Sequence, residues 1–170
     1  FCKLLHNFSL IEKIKRNDIE AYLEMHIEQG RVLENEKLPV GIVTGIAAPL
    51  WLEVTVTGVS EHAGATPMPI RKDALAAASE MILAIEQMFN DKSGPVATVG
   101  KLNVEPNGVN VIPGKVTFTI DIRDIDEQII NTLESSILRQ MQKIAERRKV
   151  TLKTKLLQRV KPAKTDPMLQ

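Results

Sequence analysis

The chain has 170 residues, 44% hydrophobic and 25% charged, which suits one globular domain, or one domain with pieces of another. Its 22 basic and 21 acidic residues give a net charge of +1, which argues against broad attraction to nucleic acid or an anionic membrane. The single cysteine, Cys2, excludes an internal disulfide framework and fits a cytoplasmic location, and no apolar run approaches the roughly 18 residues of a membrane span.

The first segment of interest follows a predicted helix end at residues 9–17 and reads AYLEMHIEQG, residues 21–30. Its alternating apolar and polar side chains predict a β-strand that ends at Gly30. On the polar face, His26 could bind a metal, since neutral imidazole is a common metal ligand. Glu24 and Glu28 could be further ligands, could orient a ligand, or could do neither. A surface or hydrogen-bonded histidine is the alternative.

The middle of the chain predicts strands and a helix in turn. A short helical turn in RVLENEK is closed by Pro39, and two extended segments follow, the second at residues 50–60. The turn-rich loop EHAGATPMP leads into an amphipathic helix over residues 70–89, since apolar residues recur there at helical spacing.

The second half repeats strand and helix signals. Strands are predicted at residues 96–107, 115–124 and 150–160, and a helix at 126–148. The apolar positions of this helix are Ile129, Leu133, Ile137, Met141 and Ile144. The order β-α-β-β-α-β predicts an α+β, ferredoxin-like domain: an antiparallel four-stranded sheet with two helices on one face. The short segments on either side are expected to belong to another domain.

Three further polar residues invite a functional interpretation. His62, in HAGATPMPIR, lies in a loop that could present its imidazole to a developing oxyanion, or it could cap the helix that follows or form a local hydrogen bond. Asn110 could bind a ligand or have a turn role, since asparagine tolerates left-handed backbone. Arg123 could bind a carboxylate through both arms of its guanidinium, or pair with Asp121 or Asp124 at the surface. Each signal is weak by itself.

Together, four stretches resemble the zinc-dependent amidase/hydantoinase/carbamoylase family. They are EMHIEQG, GIAAPLWLEVTVTGVSEHAGATPM followed by RKDA, NVIPG and DIRD, and the likeness runs from about residue 19 to residue 160. The family includes N-carbamoyl-L-amino-acid hydrolases, allantoate amidohydrolases and β-ureidopropionases. Its members have a two-metal α/β domain interrupted by a lid domain that also forms a homodimer. The resemblance thus implies catalytic-domain sequence at residues 1–47, the lid at 48–160, and a return to the catalytic domain at 161–170.

The resemblance also implies roles for single residues. His26 is expected to bind metal, Gln29 to contact substrate, His62 to polarise the scissile carbonyl in the partner subunit's site, and Asn110 and Arg123 to hold the substrate. The implied reaction is attack by metal-activated hydroxide on a carbamoyl carbon, with a glutamate as general base. A complete site would hold two divalent metals: zinc is expected, and manganese, cobalt or nickel are alternatives.

The chain also departs from the family pattern. The other metal ligands and the catalytic glutamate have no counterpart, His6 does not replace them, and Ala48 stands where glycine is common. We therefore expect a fragment that neither retains metal nor hydrolyses substrate alone. Two alternatives remain: a stand-alone dimerising module without catalysis, or the lid of a related dipeptidase or aminoacylase.

Overall fold

The computed structural model describes residues 18–89 and 94–169, so the predicted helix end at residues 9–17, with Cys2 and His6, lies outside the described residues. The chain divides into two compact units. One is Thr44–Thr165, and the other contains the described residues on either side of it. The predicted lid, residues 48–160, lies within the Thr44–Thr165 unit.

The predicted strand at residues 21–30 is wrong. These residues form no strand, and the first element among the described residues is a short helix, α1, at Val32–Glu36. The alternation of apolar and polar residues predicted that the apolar face would be buried, yet on that face Leu23 is 77% exposed and Met25 is 99% exposed. A strand needs a neighbour to accept and donate its backbone hydrogen bonds, and no described strand pairs with this segment. The apolar residues of the pattern are therefore left on the surface of this unit.

The described residues of the Thr44–Thr165 unit form eight helices and strands, besides one turn of 3₁₀ helix at Met68–Ile70. In chain order they are β1 (Gly45–Ile46), β2 (Ala48–Thr57), α2 (Ala74–Gln87), β3 (Val96–Glu105), β4 (Lys115–Asp124), α3 (Glu127–Arg148), β5 (Thr151–Arg159) and β6 (Ala163–Lys164). Strands β1 and β6 form a small antiparallel ribbon. The larger sheet has the order β3-β4-β2-β5, and every neighbouring pair is antiparallel. This confirms the predicted α+β fold.

The core lies between one face of the sheet and the two long helices. In the central strands β2 and β4, alternate residues face inward in register, as in the pairs Val54–Phe118 and Leu52–Ile120. Phe118 is fully buried. Helix α3 presents a face shifted by one residue from the predicted one near its start, because Ile130 is buried and Ile129 is 41% exposed. Both long helices, α2 and α3, cover this same face of the sheet.

Within the described residues, no helix is long and apolar enough to cross a lipid bilayer.

Aspartates set the starts of both long helices. Asp73 Oδ1 accepts from the N–H groups of Leu75 and Ala76, so α2 begins at Ala74 and not at the predicted residue 70. Asp126 Oδ1 accepts from Gln128 N–H at 2.8 Å in the same way. The carboxylates also complement the positive end of each helix dipole.

We expect Asp126→Ala to lower the free energy of unfolding of the chain by about 1 kcal/mol, because helix α3 loses the side chain that accepts from its first amides. Urea denaturation followed by circular dichroism measures this. Asp126→Asn is the matched control, since its side-chain oxygen can still accept, and it should remain close to wild type. Equal losses in both variants would contradict a capping role.

Candidate functional site

The structure brings His62 and Asn110 together. His62 lies in the loop that follows β2, and Asn110 lies in the loop that precedes β4, at the same end of the sheet. The Ala63 N–H donates to the backbone oxygen of Asn110 at 2.9 Å. His62 and Val111 form an isolated antiparallel bridge. The two predicted site residues are therefore carried by loops that are joined through their backbones.

The hydrogen bond to the His62 ring fixes which nitrogen carries its proton. The Gly64 N–H donates to His62 Nδ1 at 3.1 Å. A nitrogen that accepts must offer its lone pair, so the proton of the neutral imidazole lies on Nε2. The His62 side chain is exposed, so Nε2–H is available as a donor. This is the form that stabilises a developing oxyanion, and it has no Nε2 lone pair for a metal.

Sequence reasoning missed one residue of this loop, Arg71. Its side chain is half-buried and donates through Nε to the Thr66 carbonyl at 2.9 Å and through Nη2 to the Ala63 carbonyl at 2.6 Å. Both acceptors belong to the turn that begins at His62. The only signal in the sequence was the position of Arg71 directly after the loop, in RKDA.

Asn110 lies in a turn, as its turn alternative predicted, since Val111 N–H donates to the Gly108 carbonyl at 3.3 Å, but its backbone is not left-handed. The left-handed residue of this loop is Asn107, at φ 59°, and Asn110 is not among the residues with positive φ. Asparagine is one of the few residues that adopt this conformation readily, so the turn chemistry is satisfied by Asn107. The side chain of Asn110 is exposed and is not required by the backbone of the turn.

Arg123 pairs with Asp121 on the sheet face opposite the core. Its Nη2 donates to Asp121 Oδ2 at 2.8 Å, and its Nε lies 3.1 Å from both carboxylate oxygens. The hydrogen bond and the charge of Asp121 raise the pKa of Arg123 above its usual value. Asp121 holds one side of the fork, and the Nη1 side remains available to an anion.

Arg123 lies far from His62 and Asn110 within one chain. It is near the end of β4, opposite Pro49, whereas the loop with Asn110 leads into the start of β4 at Lys115. At about 3.4 Å per residue, the steps from Lys115 to Arg123 span about 27 Å. A small molecule cannot touch both ends of that strand.

In the other unit, His26 has the opposite proton arrangement to His62. His26 Nδ1 lies 2.6 Å from the carbonyl oxygen of Ile27, which can only accept. Nδ1 therefore carries the proton, and Nε2 offers its lone pair, as in many metal-binding histidines. The next polar residue, Gln29, is exposed and has left-handed backbone at φ 58°.

The two glutamates beside His26 have other partners. Glu28 Oε1 accepts from the N–H groups of Val32 and Leu33 and so caps α1. Glu24 accepts from the hydroxyl of Tyr22 at 2.7 Å, and this hydrogen bond and the carboxylate charge raise the pKa of Tyr22. Neither contact is a metal-binding arrangement.

His26 is not grouped with a complete set of metal-binding side chains in the part of the chain that the structure describes. Within the described residues, no three histidine, cysteine, aspartate or glutamate side chains lie together as a metal site requires. His26 fits the chemistry of one ligand. The remaining ligands of such a site would have to come from outside the described residues.

Comparison with known proteins gives one consistent result. Residues 45–149 match the family model for the peptidase dimerisation domain. The chain is 47% identical over 148 residues to an N-carbamoyl-L-amino acid amidohydrolase of Geobacillus stearothermophilus, covering 87% of this chain and 36% of that protein. It is 43% identical over 159 residues to a ureidoglycolate hydrolase of Arabidopsis thaliana, covering 92% and 33%.

A solved structure agrees with these relatives. An amidase of the hydantoinase/carbamoylase family from Burkholderia multivorans superimposes with a TM-score of 0.80 at 37% identity, covering 84% of this chain and 35% of that one. The chain thus spans about a third of the length of these relatives. The chain belongs to the peptidase dimerisation domain family, in the branch carried by hydantoinase/carbamoylase-type amidases.

Proposed function

We propose that the chain is the lid and dimerisation part of a metal-dependent hydrolase that cleaves C–N bonds in ureido compounds, such as N-carbamoyl amino acids or allantoate. The arrangement of His62 carries this proposal. Its ring accepts from the Gly64 N–H and is thereby held with Nε2–H directed away from the turn, as a donor for a substrate oxygen. Relatives named as an N-carbamoyl-L-amino acid amidohydrolase and a ureidoglycolate hydrolase support the same reaction class.

In the proposed reaction, the residues of this chain bind and polarise the substrate. His62 Nε2–H donates to the scissile carbonyl oxygen, where negative charge grows in the transition state. Arg123 binds the substrate carboxylate through the side of its fork that Asp121 does not use. Asn110 and Gln29 supply amide groups for the remaining polar atoms of the substrate.

The metal part of the site involves one residue of the chain. His26 Nε2 would bind one ion of a divalent pair, for which we propose zinc, with manganese, cobalt or nickel as the alternatives. The bound metal supplies an activated water as the nucleophile. Other ligands and the general base would be provided by catalytic-domain sequence outside this chain.

About 27 Å along β4 separates the end of the sheet near His62 and Asn110 from Arg123, so a site that uses all three residues would be a composite site built from two subunits. A substrate that contacts His62 and Asn110 at one end of the sheet cannot contact the same lid's Arg123 at the other end. We therefore propose that the protein is a homodimer in which one subunit contributes His62 and Asn110 and the other contributes Arg123. A domain named for dimerisation supports this assembly.

The proposed function is tested with the complete reading frame that contains this chain. Purified protein, stripped of metal and reloaded with zinc or manganese, is assayed for ammonia release from N-carbamoyl amino acids, allantoate and ureidoglycolate. Metal-dependent hydrolysis of one of these classes is expected. Absence of hydrolysis with every metal and substrate, in a folded and metal-loaded protein, would overturn the proposal.

Mixed dimers test the composite site. His62→Ala and Arg123→Ala subunits are each expected to be weakly active as homodimers. When they are unfolded together and refolded in equal amounts, about a quarter of wild-type activity should return, because half of the dimers are mixed and each mixed dimer has one intact site of two. If both residues served the same subunit's site, no mixed dimer would contain an intact site and activity would not return.

A further inference from the structure

The guanidinium of Arg71 donates hydrogen bonds to backbone carbonyl oxygens. Its Nε and Nη2 donate to the carbonyls of Thr66 and Ala63 at 2.9 and 2.6 Å. Among the described residues no ion pair involves Arg71, although the side chain is half-buried. Its planar fork reaches two acceptors at once, which a single ammonium group does not reproduce. Arg71 therefore acts as a two-point clamp on one short segment.

The clamped segment is the turn that holds the His62 ring. The His62 carbonyl accepts from Ala65 N–H at 3.2 Å, from Thr66 N–H at 3.1 Å and from Thr66 Oγ1 at 3.0 Å. Gly64, whose N–H donates to His62 Nδ1, lies between the two carbonyls that Arg71 binds. Hydrogen bonds on both sides of Gly64 thus fix the direction of its N–H group. The orientation of the His62 imidazole, which accepts from this N–H, is fixed with it.

The His62 ring also restricts the space around Gly64. A β-carbon added to Gly64 would lie 3.2 Å from His62 Cε1, closer than ordinary van der Waals contact. The His62 ring therefore packs directly over the Gly64 backbone. Any rotation of this peptide displaces the ring or breaks its hydrogen bond to Nδ1.

We propose that Arg71 is a positioning residue for the carbonyl-polarising step. It holds the turn from His62 to Thr66 so that the Gly64 amide keeps His62 oriented with the proton on Nε2. The effect on catalysis rests on the proposed hydrolase function, whereas the effect on the turn does not.

The turn is tested first in the 170-residue chain by amide hydrogen exchange. In Arg71→Lys, the amides of Ala65 and Thr66 should exchange about tenfold faster, since the turn loses the guanidinium that holds its carbonyls. The amides of α3 should keep their wild-type protection and report that the domain is folded. Arg139→Lys, an exposed arginine on α3, is the matched control. Unchanged exchange at Ala65 and Thr66 in Arg71→Lys would overturn the proposal.

The second readout is kinetic and uses the full-length hydrolase. Arg71→Ala should lower kcat by about 10- to 100-fold, the effect of a small misplacement of a reacting group, with metal content unchanged and KM nearly so. Added guanidinium ion should restore part of kcat in this variant and none in His62→Ala. A loss dominated by KM, or a loss without rescue, would contradict positioning through the His62 turn. Absence of wild-type activity would refute the hydrolase but leave the exchange result intact.

Discussion

Replacing His62 by alanine in the full-length hydrolase should lower kcat about 10²–10³-fold, which is the usual effect of removing one oxyanion donor. The physical reason is the Nε2–H group that remains free once Gly64 N–H occupies Nδ1. Alanine removes this donor and the Gly64 hydrogen bond to Nδ1, but keeps the hydrogen bonds that the His62 carbonyl accepts from Ala65 and Thr66. Steady-state kinetics measures the change in kcat, and elemental analysis measures the bound metal.

Two variants separate donation from metal binding. His62→Gln keeps a side-chain N–H and should recover part of the lost rate. His26→Ala should lose metal, because it removes the Nε2 lone pair that we assign to a ligand. If His62→Ala lost metal instead, His62 would be a ligand, and its assignment as a donor would be wrong.

Gly58→Ala is expected to lower the free energy of unfolding by about 3 kcal/mol, the upper range for overpacking. An added β-carbon at Gly58 would overlap the carbonyl oxygen of Lys72 and approach its carbonyl carbon at 2.8 Å. Both are backbone atoms, and the Lys72 oxygen also accepts from Val59 N–H. The chain cannot relieve the overlap by rotating a side chain. Denaturant unfolding of the 170-residue chain measures the loss.

Gly100→Ala is the matched control for Gly58→Ala. Nothing lies within 4 Å of a β-carbon added at Gly100, and no described glycine has positive φ. Alanine there should leave stability within about 1 kcal/mol of wild type, or raise it slightly, because it only restricts the unfolded chain. A similar loss in both variants would mean that the close approach at Gly58 does not explain its cost.

The sheet and helices could be predicted because their signals are local. Alternation in β2 and β4 and helical spacing in α2 and α3 correctly gave the β-α-β-β-α-β order. The phase of α3 was less certain: Ile129 and Ile130 are adjacent and equally apolar, and packing selects Ile130. The same alternation failed at residues 21–30, since a strand also requires a neighbour and the pattern does not supply one.

The candidate site was predictable only in part, because hydrogen bonds between distant loops set its geometry. His62 and Asn110 were identified as separate signals, and their proximity depends on backbone contacts that no spacing reveals. Asn107, not Asn110, takes the left-handed position, a choice that composition cannot make. Arg71 was missed because an arginine that binds carbonyls looks like any surface arginine in sequence. The roles of all five residues in catalysis, substrate binding and metal binding remain predictions: His26, Gln29, His62, Asn110 and Arg123.

The ribbon of β1 and β6 holds the two ends of the Thr44–Thr165 unit side by side, with Gly45 opposite Lys164. Paired strands place such residues about 5 Å apart. Folding of the unit thus brings together the two ends of about 120 residues. Joining the flanking segments through this unit therefore costs little more loop-closure entropy than joining them through a tight turn. In the proposed hydrolase, the unit could therefore be lengthened or shortened without separating the two segments that flank it.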